Sequence, residues 1–299
     1  MSNNPFIQDL KSQFTTKSAL MKLILINVGM FVLLYVLGVV LYLFKIPDGR
    51  IYGVFWMAVP ADLNQLITKP WTLITYMFLH EKVWHIAFNM LILYFSGRIF
   101  TQFMSEKKLV ATYLLGGWSG AFLFILFFNV FPVFRGILPI SIALGASASV
   151  MAILVAAATY VPNFLVRLMF IGNVKLKYIA LLYIVADVIS IPKSNPGGHI
   201  AHLGGALFGF LMVMQLKKGR DLTAGFARFL DRLKKLFSSQ QKMKVVYSKT
   251  GKTRSDYEYN AQKKANQQKI DAILDKISKS GYDSLTKEEK AILFEQSKK

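Results

Sequence analysis

Residues 197–214 read GGHIAHLGGALFGFLMVM, an apolar stretch that holds two histidines and five glycines. Ionisable side chains are costly at bilayer depth and normally face a protein interior or a water-filled cavity. Gly205 and Gly209 make a GxxxG face, which lets a neighbouring helix approach closely. His202 lies three residues before Gly205, on the same face and one turn nearer the start of the segment. Such a histidine can serve as a base for a nucleophile on the neighbour, or hydrogen-bond across helices for structure alone. The other two histidines repeat the arrangement: His80 and His85 sit in FLHEKVWHIAFNMLILYF, residues 78–95. Between the pairs, GASASVMAILVAAATY (145–160) puts Ser147 at the head of a third apolar run.

Composition sets the class. Of the 299 residues, 54% are hydrophobic, and mean hydropathy is +0.41, too apolar for an ordinary soluble domain. The apolar residues fall into stretches near 22–44, 83–104, 109–131, 140–160, 176–191 and 199–216. Each approaches the roughly 20 residues that a bilayer span needs, the fifth being the shortest and carrying Asp187. The first is too long for a signal-peptide core and is read as a retained helix. The expected fold class is therefore an all-α membrane protein, a bundle of six transmembrane helices with a small helical tail. With no cysteine, disulfides, thiol catalysis and cysteine metal sites are excluded. There is no HExxH pattern or carboxylate–histidine cluster in the sequence, so neither a metal nor a cofactor is expected.

The net charge of +20 does not imply nucleic acid, because of where it lies. Residues 217–299 hold 21 Lys and Arg against 10 Asp and Glu, and much of the rest lies between spans. Lys11, Lys17 and Lys22, then Arg98, Lys107 and Lys108, then Arg167, Lys175 and Lys177, then Lys217, Lys218 and Arg220 mark one side. The alternate connections hold Lys45, Arg50 and Lys69 offset by Asp48 and Asp62, then Arg135, then Lys193. The positive-inside rule puts both termini in the cytoplasm, with anionic lipid as a partner there. Spans two, four and six then run from outside to inside, and His85, Ser147 and His202 share one depth just below the outer surface.

Those residue types suit acyl transfer. Ser147 opens a helix, where the positive dipole end assists it, among the small neighbours Gly145 and Ala146. His85 and Asn89 are four apart, on one side of their helix, and offer two donors for a developing oxyanion. Taken singly, Gly145–Ser147 also fits a packing motif, and His85 with Asn89 also fits helix-to-helix hydrogen bonding.

As an ordered set, His85…Asn89, Gly145-Ala146-Ser147 and Ala201-His202…Gly205…Gly209 resemble the rhomboid intramembrane serine proteases, of the bacterial type with a short cytoplasmic C-terminal extension. The likeness covers about residues 20–216 and includes Thr75 and His80 in the approach from Trp71 to His85. It implies a six-helix bundle with an outward-facing aqueous cavity. Ser147 would be the nucleophile and His202, rather than His199, its base, in a dyad without a third acid. His85, Asn89 and the Ser147 amide would form the oxyanion hole, with Gly145, Gly205 and Gly209 packing around them. Substrates would be transmembrane proteins, cut near the outer face of a bacterial cell membrane. Ala148 stands where the family has a second glycine, and Thr72 where Trp-Arg is common. The resemblance gives no place to Asp187, expected near the outer end of span five. The rival reading is a weak or inactive relative that binds transmembrane segments; a transporter would need inverted repeats.

The domain reading is an arm at 1–19, a six-helix domain at 20–216 and a basic cytoplasmic tail at 217–299. In the tail, Leu222, Phe226, Phe229, Leu230, Leu233, Leu236 and Phe237 recur at helical spacing among Arg228, Arg232, Lys234 and Lys235. That is a basic amphipathic helix suited to the inner leaflet. Residues 238–262 read as polar and flexible. A helical hairpin follows, Gly281 ending its first helix and Ser284 capping the second at 287–289. Oligomeric state is left open.

Overall fold

The computed structural model describes residues 18–46, 49–168, 171–237 and 256–296. Lys11, Lys17, Asp48 and residues 238–255 of the polar stretch 238–262 lie outside them, while 256–262, read as flexible, are helical. The chain forms two compact units, Met1–Ser239 and Gln240–Lys299.

The first unit opens with helix α1 (Ala19–Leu43). Its connection folds into α2 (Gly49–Met57), strand β1 (Val59–Pro60), α3 (Leu63–Thr68) and the single turn α4 (Thr72–Thr75). Then come α5 (Val83–Phe103), α6 (Glu106–Val130), strand β2 (Ile142–Ala143) and α7 (Ser147–Tyr160). A hairpin of β3 (Leu165–Leu168) and β4 (Gly172–Lys175) leads to α8 (Leu176–Ser190), α9 (Pro196–Lys217) and α10 (Ala224–Phe237). It is an all-α membrane bundle with two short antiparallel pairs, β1–β2 and β3–β4. Among the described residues α1, α5, α6 and α9 are long and apolar enough to cross a membrane. Most large apolar side chains of α1, such as Leu25, Val32 and Val36, are exposed, as suits a helix solvated by lipid.

The fourth apolar stretch departs from its expected bounds of 140–160. Its helix begins only at Ser147, after a 3-10 turn with Pro139 and the pairing of Val59 with Ala143 and Pro60 with Ile142. Gly145 at φ +122° blocks a helical entry before it. The 14 residues of α7 rise only about 21 Å, less than a bilayer core, and α7 is instead wrapped by protein. Eleven of them, Ala148 to Ala158, are buried. Side chains at Gly205 and Gly209 would overlap the carbonyl oxygens of Ala148 and Ala152, and one at Gly116 the Ala152 methyl. At Gly120 it would meet the Ala148 Cβ at 2.5 Å. Small-residue ridges on α6 and α9, which also pack on each other through Gly120 and Gly204, thus both close on α7, which fixes Ser147 relative to α9.

Buried polar groups tie the first connection to this core. Asn27 of α1 donates to the Tyr113 hydroxyl at 3.0 Å, which donates to the Met77 carbonyl at 2.8 Å. The Tyr76 hydroxyl donates to the Gly117 carbonyl. Trp71 stacks on Trp56, centroids 5.4 Å apart, while the Thr72 hydroxyl donates to the Lys69 carbonyl at 2.6 Å.

The amphipathic segment after α9 is helical from Ala224 and rests on the start of α6. Lys108 pairs with Asp221 at 2.9 Å and Lys107 with Asp231 at 2.7 Å, while Phe226 meets Trp118 edge-on at 5.2 Å. In the second unit α11 (Asp256–Ser280) ends at Gly281, φ +77°, and α12 (Lys287–Gln296) follows. Thr286, rather than Ser284, caps α12. The Glu289 amide donates to Thr286 Oγ1 at 3.3 Å and the Thr286 amide to Glu289 Oε2 at 2.7 Å, a reciprocal box that needs the acid three residues after the cap. The Ser284 hydroxyl donates to the Gly281 carbonyl.

Candidate active site

Ser147 is the first residue of α7, and what precedes it is held from below. The Gly145 amide donates to the Tyr76 carbonyl at 2.8 Å. The Ala146 amide points at His80 Nε2, 3.5 Å away, and His80 is only 1% exposed. The first amides of a helix have no intrahelical acceptor, so the Ser147 N–H and the positive end of α7 are available to a negative group.

His85 and Asn89 project from the first two turns of α5. The space into which a Gly145 side chain would grow holds His85 Cε1 at 3.0 Å, its Nε2 at 3.1 Å and Ser147 Oγ at 3.5 Å. Only glycine leaves the imidazole room beside the serine. Asn89 is buried, and its Nδ2 donates to the His85 carbonyl at 2.8 Å. An amide nitrogen carries two hydrogens, so one remains to donate elsewhere.

His85, Asn89, Ser147 and His202 all line one cavity of about 370 Å³, with Trp84 and Tyr183 among its apolar walls. Among the described residues no hydrogen bond closes between Ser147 Oγ and the His202 ring.

His202 is held from its far side. Its Nδ1 lies 2.9 Å from Asp187 Oδ1, and His199 Nδ1 lies 2.7 Å from the same oxygen. A carboxylate only accepts, so each contact is a hydrogen bond in the tautomer with Nδ1 protonated. Asp187, near the end of α8, is 6% exposed, and its Oδ2 is without a partner among the described residues. The sequence has no carboxylate–histidine cluster, but the fold assembles this one across the loop between α8 and α9. Sequence reasoning set Asp187 aside as a third acid and gave His80 no role beyond its place in the approach from Trp71 to His85. The available signal was an acid near the end of a short apolar helix, twelve residues before His199.

The donor atoms of Asp187, His199 and His202 lie within 4.8 Å of one another, a spacing that metal sites also use. Their two short separations are those of hydrogen bonds. Tetrahedral ligands about 2.0–2.1 Å from zinc would lie roughly 3.3 Å apart.

A rhomboid domain model matches residues 68–218, and a family of unknown function, DUF6576, matches residues 254–299. Presenilin-associated rhomboid-like protein A, mitochondrial, of Danio rerio is 33% identical over 138 residues, 44% of this chain and 34% of that protein. RHOMBOID-like protein 1 of Arabidopsis thaliana is 28% identical over 153 residues, 50% of this chain and 36% of that protein. The chain spans about a third of the length of either relative.

Proposed function

We propose, from the premise that this chain belongs to the rhomboid family, that it is an intramembrane serine endopeptidase. It is a multi-pass membrane protein, and in this reading it cuts transmembrane proteins near the outer face. One observation carries the reading: Ser147, His202, His85 and Asn89, from three different helices, line a single cavity. In the proposed chemistry His202 Nε2 takes the Ser147 Oγ proton as Oγ bonds to the scissile carbonyl carbon. The oxyanion is received by the Ser147 amide, the free Asn89 amide hydrogen and His85. Protonated His202 then gives its proton to the departing amine, and water repeats the sequence on the acyl-enzyme. The cavity supplies water at a depth where lipid would exclude it.

The charge distribution supports cytoplasmic termini, with 217–299 as a cytoplasmic extension at anionic lipid; the bacterial cell membrane rests on the resemblance to the bacterial type alone. Among the described residues no hydrogen bond joins Ser147 Oγ to the His202 ring, which leaves a second reading, an inactive relative that binds transmembrane segments. A serine-directed fluorophosphonate separates them: an adduct at Ser147 of the detergent-solubilised protein supports the protease. A folded protein that takes no label there supports the binder.

A further inference from the structure

We infer that Asp187 is a positioning residue for the reaction: it holds His202 in the tautomer with Nδ1 protonated and stabilises its charged form, with His199 as a second donor. This rests on Ser147 and His202 being the nucleophile and base.

Neutral imidazole has one N–H, and the proton occupies whichever nitrogen has the better acceptor. With Asp187 Oδ1 2.9 Å from His202 Nδ1, the proton belongs on Nδ1. Nε2 is left as a lone pair, the form a general base requires. The carboxylate is also short of partners. Its Oδ1 accepts from both histidines while the buried Oδ2 has none among the described residues, and an under-solvated buried anion is costly. When His202 Nε2 takes the Ser147 Oγ proton, the ring becomes a cation against that anion. The contact is therefore worth more in the transition state than in the resting enzyme, the condition for accelerating a step. Asp187 stays ionised throughout and takes no proton. His199 sits one turn before His202 on α9, its ring centroid 5.9 Å away, and aims Oδ1 by its own 2.7 Å bond.

The test uses the full-length protein in detergent with ¹⁵N-labelled histidine, assigned with His202→Gln. Expected is a His202 signal from a protonated Nδ1 and an unprotonated Nε2, lost in Asp187→Asn. With a transmembrane peptide substrate, Asp187→Asn should lower kcat by about 10²-fold, within the range of general acid–base contributions, with KM nearly unchanged. Asp187→Glu should recover part of kcat by restoring the charge. Wild-type turnover should not respond to a chelator. Wild-type kcat in a folded Asp187→Asn variant, a wild-type His202 protonated on Nε2, or loss of turnover with a chelator would each overturn the inference. The tautomer is readable without turnover, so a wild-type protein that neither cleaves nor labels at Ser147 would sink the protease reading separately.

Discussion

Replacing Gly205 with alanine should disturb both stability and turnover, although the residue touches no reacting atom. A methyl there would overlap the Ala148 backbone oxygen, and that oxygen cannot withdraw without moving α7. The added Cβ would stand 2.0 Å from that oxygen, so relief requires α9 to back away by about 1.3–1.6 Å, since carbon and carbonyl oxygen rest at about 3.3–3.6 Å. Overpacking of this kind costs about 1–3 kcal/mol, or about 2–4 °C in Tm per kcal/mol for a unit of this size. His202 rides on α9 three residues away, so the same shift spoils its approach to Ser147. A misplacement near 1 Å costs on the order of 10²-fold in rate. The partner experiment is Gly116→Ala, whose methyl would overlap the Ala152 methyl and little else. Ala152→Gly should restore Gly116→Ala, because the obstructing group is a removable side chain. Ala148→Gly should not restore Gly205→Ala, because there the obstruction is backbone. Thermal melts and kcat for the five proteins, wild type included, decide it. Equal rescue in the two pairs, or a silent Gly205→Ala, would refute the clamp.

Ser147→Ala and His202→Ala should each abolish cleavage in a folded protein, with the double variant no worse than either alone, because they act as one unit. An inactive His199→Ala beside an active His202→Ala would reverse the assignment of the base. Asn89→Ala and His85→Ala should each lower kcat by about 10²–10³ with little effect on binding, as loss of an oxyanion donor does; unchanged kcat in both would leave them structural. Burial raises the Asp221 carboxyl's pKa, but the Thr223 hydroxyl and amide and the Lys108 ammonium outweigh it and hold it below the usual carboxylate value. A depressed folded pKa stabilises above the unfolded value, and that contribution fades as pH falls through the folded one. Docking of α10, followed by Trp118 fluorescence beside Phe226, should accordingly hold at neutral pH and loosen in acid. The Asp221→Asn variant should be loosened at every pH, and a flat profile in wild type would refute the pairing.

Local information was enough to reveal the class of this protein. Apolar blocks near bilayer length and histidines within them are properties of consecutive residues, so the all-α membrane bundle and the segments holding its candidate site are legible in one dimension. The Gly205–Gly209 ridge is legible for the same reason, since helical periodicity alone puts both on one face. Its occupant is not, because the Ala148 and Ala152 carbonyls and the opposing Gly116 and Gly120 come from other helices. The late start of α7 depended on β2 pairing with β1, some 80 residues earlier in the chain, and on the Gly145 amide finding the Tyr76 carbonyl. The short helices between α1 and α5 were missed because their few turns are held by tertiary contacts rather than by periodicity. Asp187 is the clearest case. A lone acid near the end of a short apolar helix says nothing about its partner, since burial and hydrogen bonding are settled by what lies opposite in space. His202 is singled out from His199 in the sequence by the glycines three and seven residues after it, but only the docking of α8 against α9 put one of Asp187's oxygens between the two histidines.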